Sequence, residues 1–394
     1  MTVADRPLRV TWLGHGAERT GPPIYLLRIL EGLRAHPEIE PSVVLLDDGP
    51  LLARFESLAP TSVVKPMPVA GPRRAAAAGL SRLGAQRSAT LMASRRSTTS
   101  TGAEADVVVV NTAGSIAALT ALGTPPRRLI SHVHELATGL DYWLAPELRR
   151  QVLEDSDELW VVADAVGRHL VDDHGVDPAR LRTHRGVLPP DAFAELAPAE
   201  RTRRRAALGV GPDDILVGAS GTLDWRKATD HFLELSSRAI AASETPIHLV
   251  WIGGNPATPW GHLLVQLAAA AGLADRIHLV PEGDRPDRWF GALDLFVLPS
   301  REDAYPLVCM EAAAAGVPLV TFESGGAPEL IRDGGGEVVP YPDVAAIAAA
   351  VVRFAEDPAR RAEAGAAALT AARRHTVEAA LPSLVADLRR VAAS

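Results

Sequence analysis

A chain of 394 residues with 47% hydrophobic and 22% charged side chains is globular and too long for one core, so two domains are expected. A net charge of -8 at pH 7 argues against general nucleic-acid binding. The single cysteine, Cys309, allows no internal disulfide, no charged-then-apolar leader precedes the first apolar run, and no uncharged stretch approaches the roughly eighteen apolar residues of a membrane span; the expected location is cytoplasmic.

Short β-type runs alternate with helical, Ala-rich stretches along the whole chain. Strands are expected at Leu8–Leu13, Val43–Leu46, Val107–Asn111, Leu129–His132, Leu159–Val162, Ile215–Ser220, His248–Ile252, Leu295–Leu298 and Leu319–Phe322. Most are continuous apolar runs rather than alternating ones, which marks strands covered on both faces of a parallel sheet. The βαβ rhythm predicts doubly wound α/β domains, whose ligands bind beyond the carboxyl ends of the strands.

The first strand runs into Gly14-His-Gly-Ala-Glu-Arg-Thr-Gly-Pro-Pro23, with a helix expected from about Ile24 to Ala35. A glycine-rich turn in that place is an approach point for phosphates, with Gly14 and Gly21 as candidates for close backbone approach; a plain turn is the other reading. It is not GxGxxG, which counts against a nicotinamide-dependent dehydrogenase. From Ser57 to Ala103 there is no acidic residue, while Lys65, Arg73, Arg74, Arg82, Arg87, Arg95 and Arg96 all fall there. This run is either a solvated basic face or, through 65–96, a peripheral surface for an anionic membrane or an anionic acceptor.

In His132-Val-His-Glu135, period-two geometry turns His132 and His134 the same way, but the rest of a metal-ligand set is missing, so no metal is expected there. Asp155-Ser-Asp157 lies at the amino end of its strand, the wrong end for a site, and reads as a helix-exit turn. Prolines break the rhythm at 186–197, and an arginine-rich helix, Glu200 to Leu208, then leads into a fresh strand. The expected division is 1–187, a linker at 188–200, a second domain at 201–376, and a last helix at 377–394.

Beyond the strand Ile215–Ser220 comes Gly221-Thr-Leu-Asp-Trp-Arg-Lys-Ala-Thr-Asp230, and beyond His248–Ile252 comes Gly253-Gly254, read as shaping a nucleotide pocket. The most telling run is Pro299 to Val320, PSREDAYPLVCMEAAAAGVPLV. A strand ends at a Pro-Ser turn, two carboxylates follow, and Pro306 opens a helix without cost. Glu311 falls eight residues after Asp303, among the apolar neighbours Val308, Cys309, Met310 and Ala312. Acidic loop, helix N-terminus and inward carboxylate suit a diphosphate sugar, with backbone N–H groups for the phosphate and carboxylates for hydroxyls.

This run resembles the E-x7-E signature of the family 4 retaining GT-B glycosyltransferases, with Asp303 where the first Glu is usual and Glu302 beside it, so that either carboxylate fills that place. The resemblance covers nearly the whole chain and is sharpest from Gly221 to Glu329. It implies two Rossmann-like domains facing across a cleft, with the last helix crossing back to the first. It implies a retaining, metal-independent hexosyltransferase with no cofactor, using a nucleotide-diphosphate sugar, most simply a UDP-sugar, and a small-molecule or glycan hydroxyl acceptor.

By the same resemblance Arg226 and Lys227 grip the diphosphate, Ala228 replacing the usual Gly, and their truncation is expected to slow chemistry far more than it weakens the fold. Glu311 takes the ribose, Asp303 or Glu302 faces the transferred sugar, and the backbone of Tyr305, Pro306, Leu307 and Val308 completes the phosphate cradle. The loop with Gly14 and Gly21 lies against sugar and diphosphate, His134 contacts the sugar, and Glu135 orients the imidazole or meets the acceptor. Gly325-Gly326-Ala-Pro-Glu329 resembles the family's G-G-x-x-E element, Glu329 alternatively supporting its own helix turn. Tyr142 and Trp143 are either acceptor-stacking rings or core. Rival readings are another GT-B sugar-nucleotide enzyme, an epimerase or phosphorylase, and a catalytically silent sugar-nucleotide binder.

Overall fold

The computed structural model describes residues 6–64, 99–102, 104–281, 283 and 287–394. They form two compact units, the first from the described residues of Met1–Val162, Val166–His184 and Ala380–Ser394, the second from Ala163–Ala165 and Arg185–Ala379.

The first unit is built on seven parallel strands: β1 (Leu8–Gly14), β2 (Ile39–Leu45), β3 (Thr61–Val63), β4 (Val107–Asn111), β5 (Leu129–Val133), β6 (Glu158–Val161) and β7 (Leu181–Thr183). Their order is β3-β2-β1-β4-β5-β6-β7, with Trp12 of β1 between Val43 of β2 and Val109 of β4. The second unit has six parallel strands: β8 (Ile215–Ser220), β9 (Ile247–Ile252), β10 (Ile277–Val280), β11 (Leu295–Leu298), β12 (Leu319–Phe322) and β13 (Gly336–Val339), in the order β10-β9-β8-β11-β12-β13.

Strands β4, β5, β8 and β9 are buried along their whole length, and in the unbroken run Val107–Val110 β-branched side chains fill both faces of the sheet. In the second unit Val217, Leu249, Val297 and Val320 pack with Phe232, Ile347, Val351 and Phe354 from the covering helices. Each sheet reverses its winding once, between β1 and β4 and between β8 and β11, and it is beyond the carboxyl ends of such strands that open α/β sheets hold ligands.

Several expectations shift. The helix after β1 runs Gly21–Leu33, three residues earlier than read, because Pro22 and Pro23 suit the first turn and Gly21 becomes its first residue. The arginine-rich helix is Pro198–Ala207. Pro306 stands just outside its helix, Leu307–Ala314, as the capping residue. Strands β3, β7, β10 and β13 were not expected at all. From Ala380 on, the last helix, Val377–Ala393, belongs to the first unit, where Arg390 pairs with Glu158 at 2.7 Å and His184 with Asp387 at 3.0 Å. The basic run Lys65–Arg96 lies outside the described residues.

Candidate functional site

In the second unit, two loops meet at the β8/β11 reversal. The loop after β8 is shaped by Asp224, whose carboxylate accepts from the Lys227 N–H at 2.8 Å and from the Thr222 hydroxyl at 2.8 Å. Ala228 then takes a left-handed conformation, φ 58°, and the helix Thr229–Ala242 begins. That is where a glycine would cost nothing and an alanine costs roughly 1–2 kcal/mol. Gly221, at φ 136°, leaves room for the Lys227 side chain, since a Cβ there would lie 3.2 Å from its Cε.

The loop after β11 is tied to this one. The Arg301 N–H donates to the Arg226 carbonyl at 2.9 Å, and the Arg301 guanidinium bonds the Trp225 carbonyl, clasps Asp230 at 2.8 and 2.6 Å, and lies over the Trp225 ring. Arg226 donates to the Glu302 carbonyl at 3.0 Å and stands 3.8 Å from Asp303, while Lys227 Nζ donates directly to Asp303 Oδ2. The Lys227 and Asp303 side chains are only 12% and 10% exposed. Two cations against this one carboxylate leave the cluster with a surplus positive charge, suited to a doubly charged phosphate group.

Asp303 Oδ2 is engaged by Lys227, and Lys227 is a buried ion-pair partner, so its truncation is expected to weaken the fold as well. Glu302 and Glu311 are both half-buried, Glu311 on the fifth residue of the helix Leu307–Ala314. Leu307 and Val308 supply backbone N–H groups in that helix's first turn. Pro306 has none, and the Tyr305 side chain is buried with its hydroxyl 3.3 Å from His375. Cys309 is fully buried, its thiol held well above the usual range by desolvation.

Neighbouring glycines have structural work. Gly253, at φ 90°, lies where a Cβ would meet the Gly221 carbonyl at 3.2 Å, and Trp251 Nε1 donates to that same carbonyl at 2.8 Å. A Cβ on Gly326 would sit 2.1 Å from the Ala304 carbonyl, and the Gly326 N–H donates to the Asp303 carbonyl at 3.1 Å. Glu329 spends its buried carboxylate on the N–H groups of Asp164 and Ala165, at 3.1 and 2.9 Å, and on Arg185 at 3.0 Å.

In the first unit, Gly14 ends β1 and is explained by packing, a Cβ there falling 2.7 Å from Leu45 Cδ2. Gly21 is exposed, and a Cβ there would meet no protein atom within 4 Å. His132 and His134 do face the same way, ring centres 4.3 Å apart, with Tyr25 set edge-on to both. His132 Nε2 lies 3.0 Å from the His184 carbonyl, which can only accept, so that nitrogen carries the proton. His132 Nδ1 therefore accepts from His134 Nε2 at 3.3 Å, and His134 Nδ1 is left as an acceptor. Desolvation, then the charge of His15, pushes the His134 pKa down to about 3, so the ring stays neutral.

Glu135 does not orient the imidazole. Its carboxylate accepts from the His134 N–H at 2.8 Å and from the Ala113 N–H at 3.1 Å, pinning backbone, and burial pushes its pKa up to about 7. Sequence reasoning missed Asn111 and Thr112 at the end of β4. Asn111 donates to the Pro22 carbonyl at 3.0 Å, joining β4 to the first turn of the glycine-led helix. Thr112 sits at φ 109°, a strained position for a β-branched residue. The signal was there: two polar residues closing a run of four valines. Tyr142 and Trp143 are 69% and 61% exposed, which excludes a core role.

Comparison with known proteins gives the same picture. Residues 200–370 match the family described as glycosyl transferases group 1. The D-inositol 3-phosphate glycosyltransferase of Mycobacterium marinum is 35% identical over 242 residues, 57% of this chain and 49% of that protein; the chain thus spans about half the length of the curated relatives it matches. Among solved structures, Anabaena Alr3699/HepE in complex with UDP and glucose has a TM-score of 0.76 at 18% identity, covering 97% of this chain and 100% of that one. Sucrose-phosphate synthase from Thermosynechococcus elongatus has a TM-score of 0.74 at 20% identity, covering 99% and 100%. Residues 200–370 thus match the group 1 glycosyl transferases, and the two parallel-sheet units have the GT-B fold of these solved structures.

Proposed function

We propose that the protein is a retaining glycosyltransferase that moves a sugar from a nucleoside-diphosphate sugar, a UDP-sugar, to a hydroxyl acceptor without a metal ion or other cofactor in the chemistry. The observation that carries this reading is the charge cluster of Arg226, Lys227 and Asp303 beyond the carboxyl ends of β8 and β11, next to the N-terminus of the helix Leu307–Ala314. As the sugar–oxygen bond breaks, negative charge grows on the leaving diphosphate. Arg226, Lys227 and the N–H groups of Leu307 and Val308 stabilise that charge more in the transition state than in the ground state.

The acceptor hydroxyl attacks from the face the diphosphate leaves, and a donor phosphate oxygen takes its proton, so no protein carboxylate is required as base. Glu311 accepts from the two ribose hydroxyls. Within the first unit, His134 Nδ1 accepts from a sugar hydroxyl. The UDP complexes of the Anabaena protein support UDP as the donor nucleotide. A phosphorylated cyclitol is the first acceptor to try, because curated relatives carry that name; other small molecules and glycans follow.

The test is calorimetry with UDP and UDP-sugars, then product analysis by NMR. The expected result is UDP binding that weakens in Arg226→Ala, an α-linked product from an α-linked donor, and turnover indifferent to added Mg²⁺ or Mn²⁺. Donor binding with no transfer to any acceptor would favour a silent binder, and donor epimerised without acceptor would favour an epimerase.

A further inference from the structure

We infer that Asp141, His169 and His174, in the first unit, form a zinc site. The inference stands apart from the transfer chemistry and does not depend on it. His169 lies on the helix Asp164–Asp172 and His174 just beyond it. Five residues apart on a continuous helix, the two rings would point in different directions. The helix ends between them instead. Gly175 takes φ 66°, its N–H reaching the Val171 carbonyl at 3.0 Å and the Val176 N–H reaching that of Leu170 at 3.1 Å, a left-handed helix stop directly after His174; the two rings nonetheless lie side by side. The ring centres are 5.0 Å apart at 87°. Asp141, on the segment Thr138–Trp143, brings a carboxylate to both: Oδ2 is 3.2 Å from His169 Nε2, and Oδ1 is 2.8 Å from His174 Nε2.

Three features point to a cation among these atoms. The His169 and His174 side chains are 10% and 14% exposed, yet neither Nε2 has a hydrogen-bond partner. Asp173 Oδ2 lies 2.8 Å from His169 Nδ1 and accepts a hydrogen bond there, which in the neutral ring leaves the Nε2 lone pair facing a carboxylate. Two acceptors face to face repel unless a cation lies between them. A carboxylate holding the far nitrogen of a ligating imidazole is also the arrangement that fixes zinc-binding histidines.

The three donor atoms lie within 4.8 Å of one another. Donors about 2.0–2.1 Å from a tetrahedral zinc are roughly 3.3 Å apart, so the trio fits after small movements, with water as fourth ligand. Arg149 bonds Asp141 Oδ1 at 3.2 Å and its carbonyl at 3.2 Å, leaving Oδ2 for the metal. His174 also lines a cavity of ≈ 490 Å³. Bound zinc would fasten the segment carrying the exposed Tyr142 and Trp143 to the end of the helix behind it.

The full chain, stripped with chelator and dialysed, is titrated with zinc sulfate by calorimetry, and with Co²⁺ while visible absorption is followed. The expected result is one saturable zinc per chain, tetrahedral Co²⁺ bands, and affinity lowered about 10–100-fold in Asp173→Asn and by more in Asp141→Asn and His169→Ala. His262→Ala, at an exposed position, is expected to bind normally. Asp141→Asn keeps the shape of the side chain, and circular dichroism checks that each variant is folded. Absence of saturable uptake overturns the proposal, and so does equal uptake by folded Asp141→Asn and His169→Ala. Imidazole NMR showing both His169 nitrogens protonated in excess zinc overturns it too, because a proton then fills the gap.

Discussion

Lys227 is where stability and chemistry can be separated. Replacing it with methionine keeps most of the side-chain volume but leaves Asp303, 10% exposed, without its direct partner. Removing one member of a buried pair costs about 3–5 kcal/mol. Arg226, 3.8 Å from the same oxygen, compensates in part, so a loss near the lower end of about 3 kcal/mol is expected. Loss of a transition-state charge donor costs about 2.7–4 kcal/mol, or 10²–10³ in kcat. Both losses would appear in Lys227→Met, so the single variant cannot tell them apart.

Lys227→Met combined with Asp303→Asn can. With both charges gone and both shapes kept, stability should return to within roughly 1 kcal/mol of the parent, since a buried pair contributes little net stability. UDP affinity and transfer should stay low. Asp303→Asn alone should tighten UDP binding, because it frees Lys227 and adds one positive charge to the cluster. Denaturant midpoints measure the first quantity and UDP calorimetry with transfer rates the second. If UDP affinity and transfer return together with stability in the double variant, Lys227 is a structural cation only and the reasoning fails.

Glu311→Gln is expected to weaken UDP about tenfold, the scale of one charged hydrogen bond, while leaving pyrophosphate affinity unchanged; an equal loss for both would place Glu311 away from the ribose. His134 should remain a neutral Nε2–H tautomer throughout pH 5–8, read from imidazole nitrogen shifts, because its pKa is pushed down to about 3; titration near 6.5 would contradict the buried chain of rings. Burial raises the Glu135 carboxyl from 4.5 to about 7, so the folded state holds a proton that the unfolded state has lost across that window. Its contribution to stability therefore falls as pH rises from about 4.5 to 7, and Glu135→Gln should flatten that slope in denaturant midpoints. Gly326→Ala should lower stability by several kcal/mol, seen as a large drop in Tm, because a backbone carbonyl 2.1 Å from the new Cβ cannot swing away as a side chain would.

The strands that could be read from sequence and those that could not differ in one physical respect. Every expected strand lies inside a sheet, and most appear as unbroken apolar runs such as Val107–Val110. The four that escaped, β3, β7, β10 and β13, are the edges of the two sheets. There Thr61–Val63 and Leu181–Thr183 are half exposed, and three or four residues mixing Thr, Arg, His and Glu give no period to find. Helix starts slipped where proline was taken for a loop residue, as at Pro22 and Pro23.

Site loops were legible for a related reason: turn chemistry stands out directly after a buried strand. Gly221 to Lys227 after β8 and Pro299 to Asp303 after β11 each announced themselves this way. What lies between those loops did not. Lys227 and Asp303 are 76 residues apart, and only the adjacency of β8 and β11 brings them into contact. The same holds for Asp141 with His169 and His174, which no spacing rule brings together. A motif names the residues a loop offers, but the sheet order decides which of them neutralise one another before any ligand arrives. Asp303 and Lys227 show this, each the other's partner in the structure as it stands.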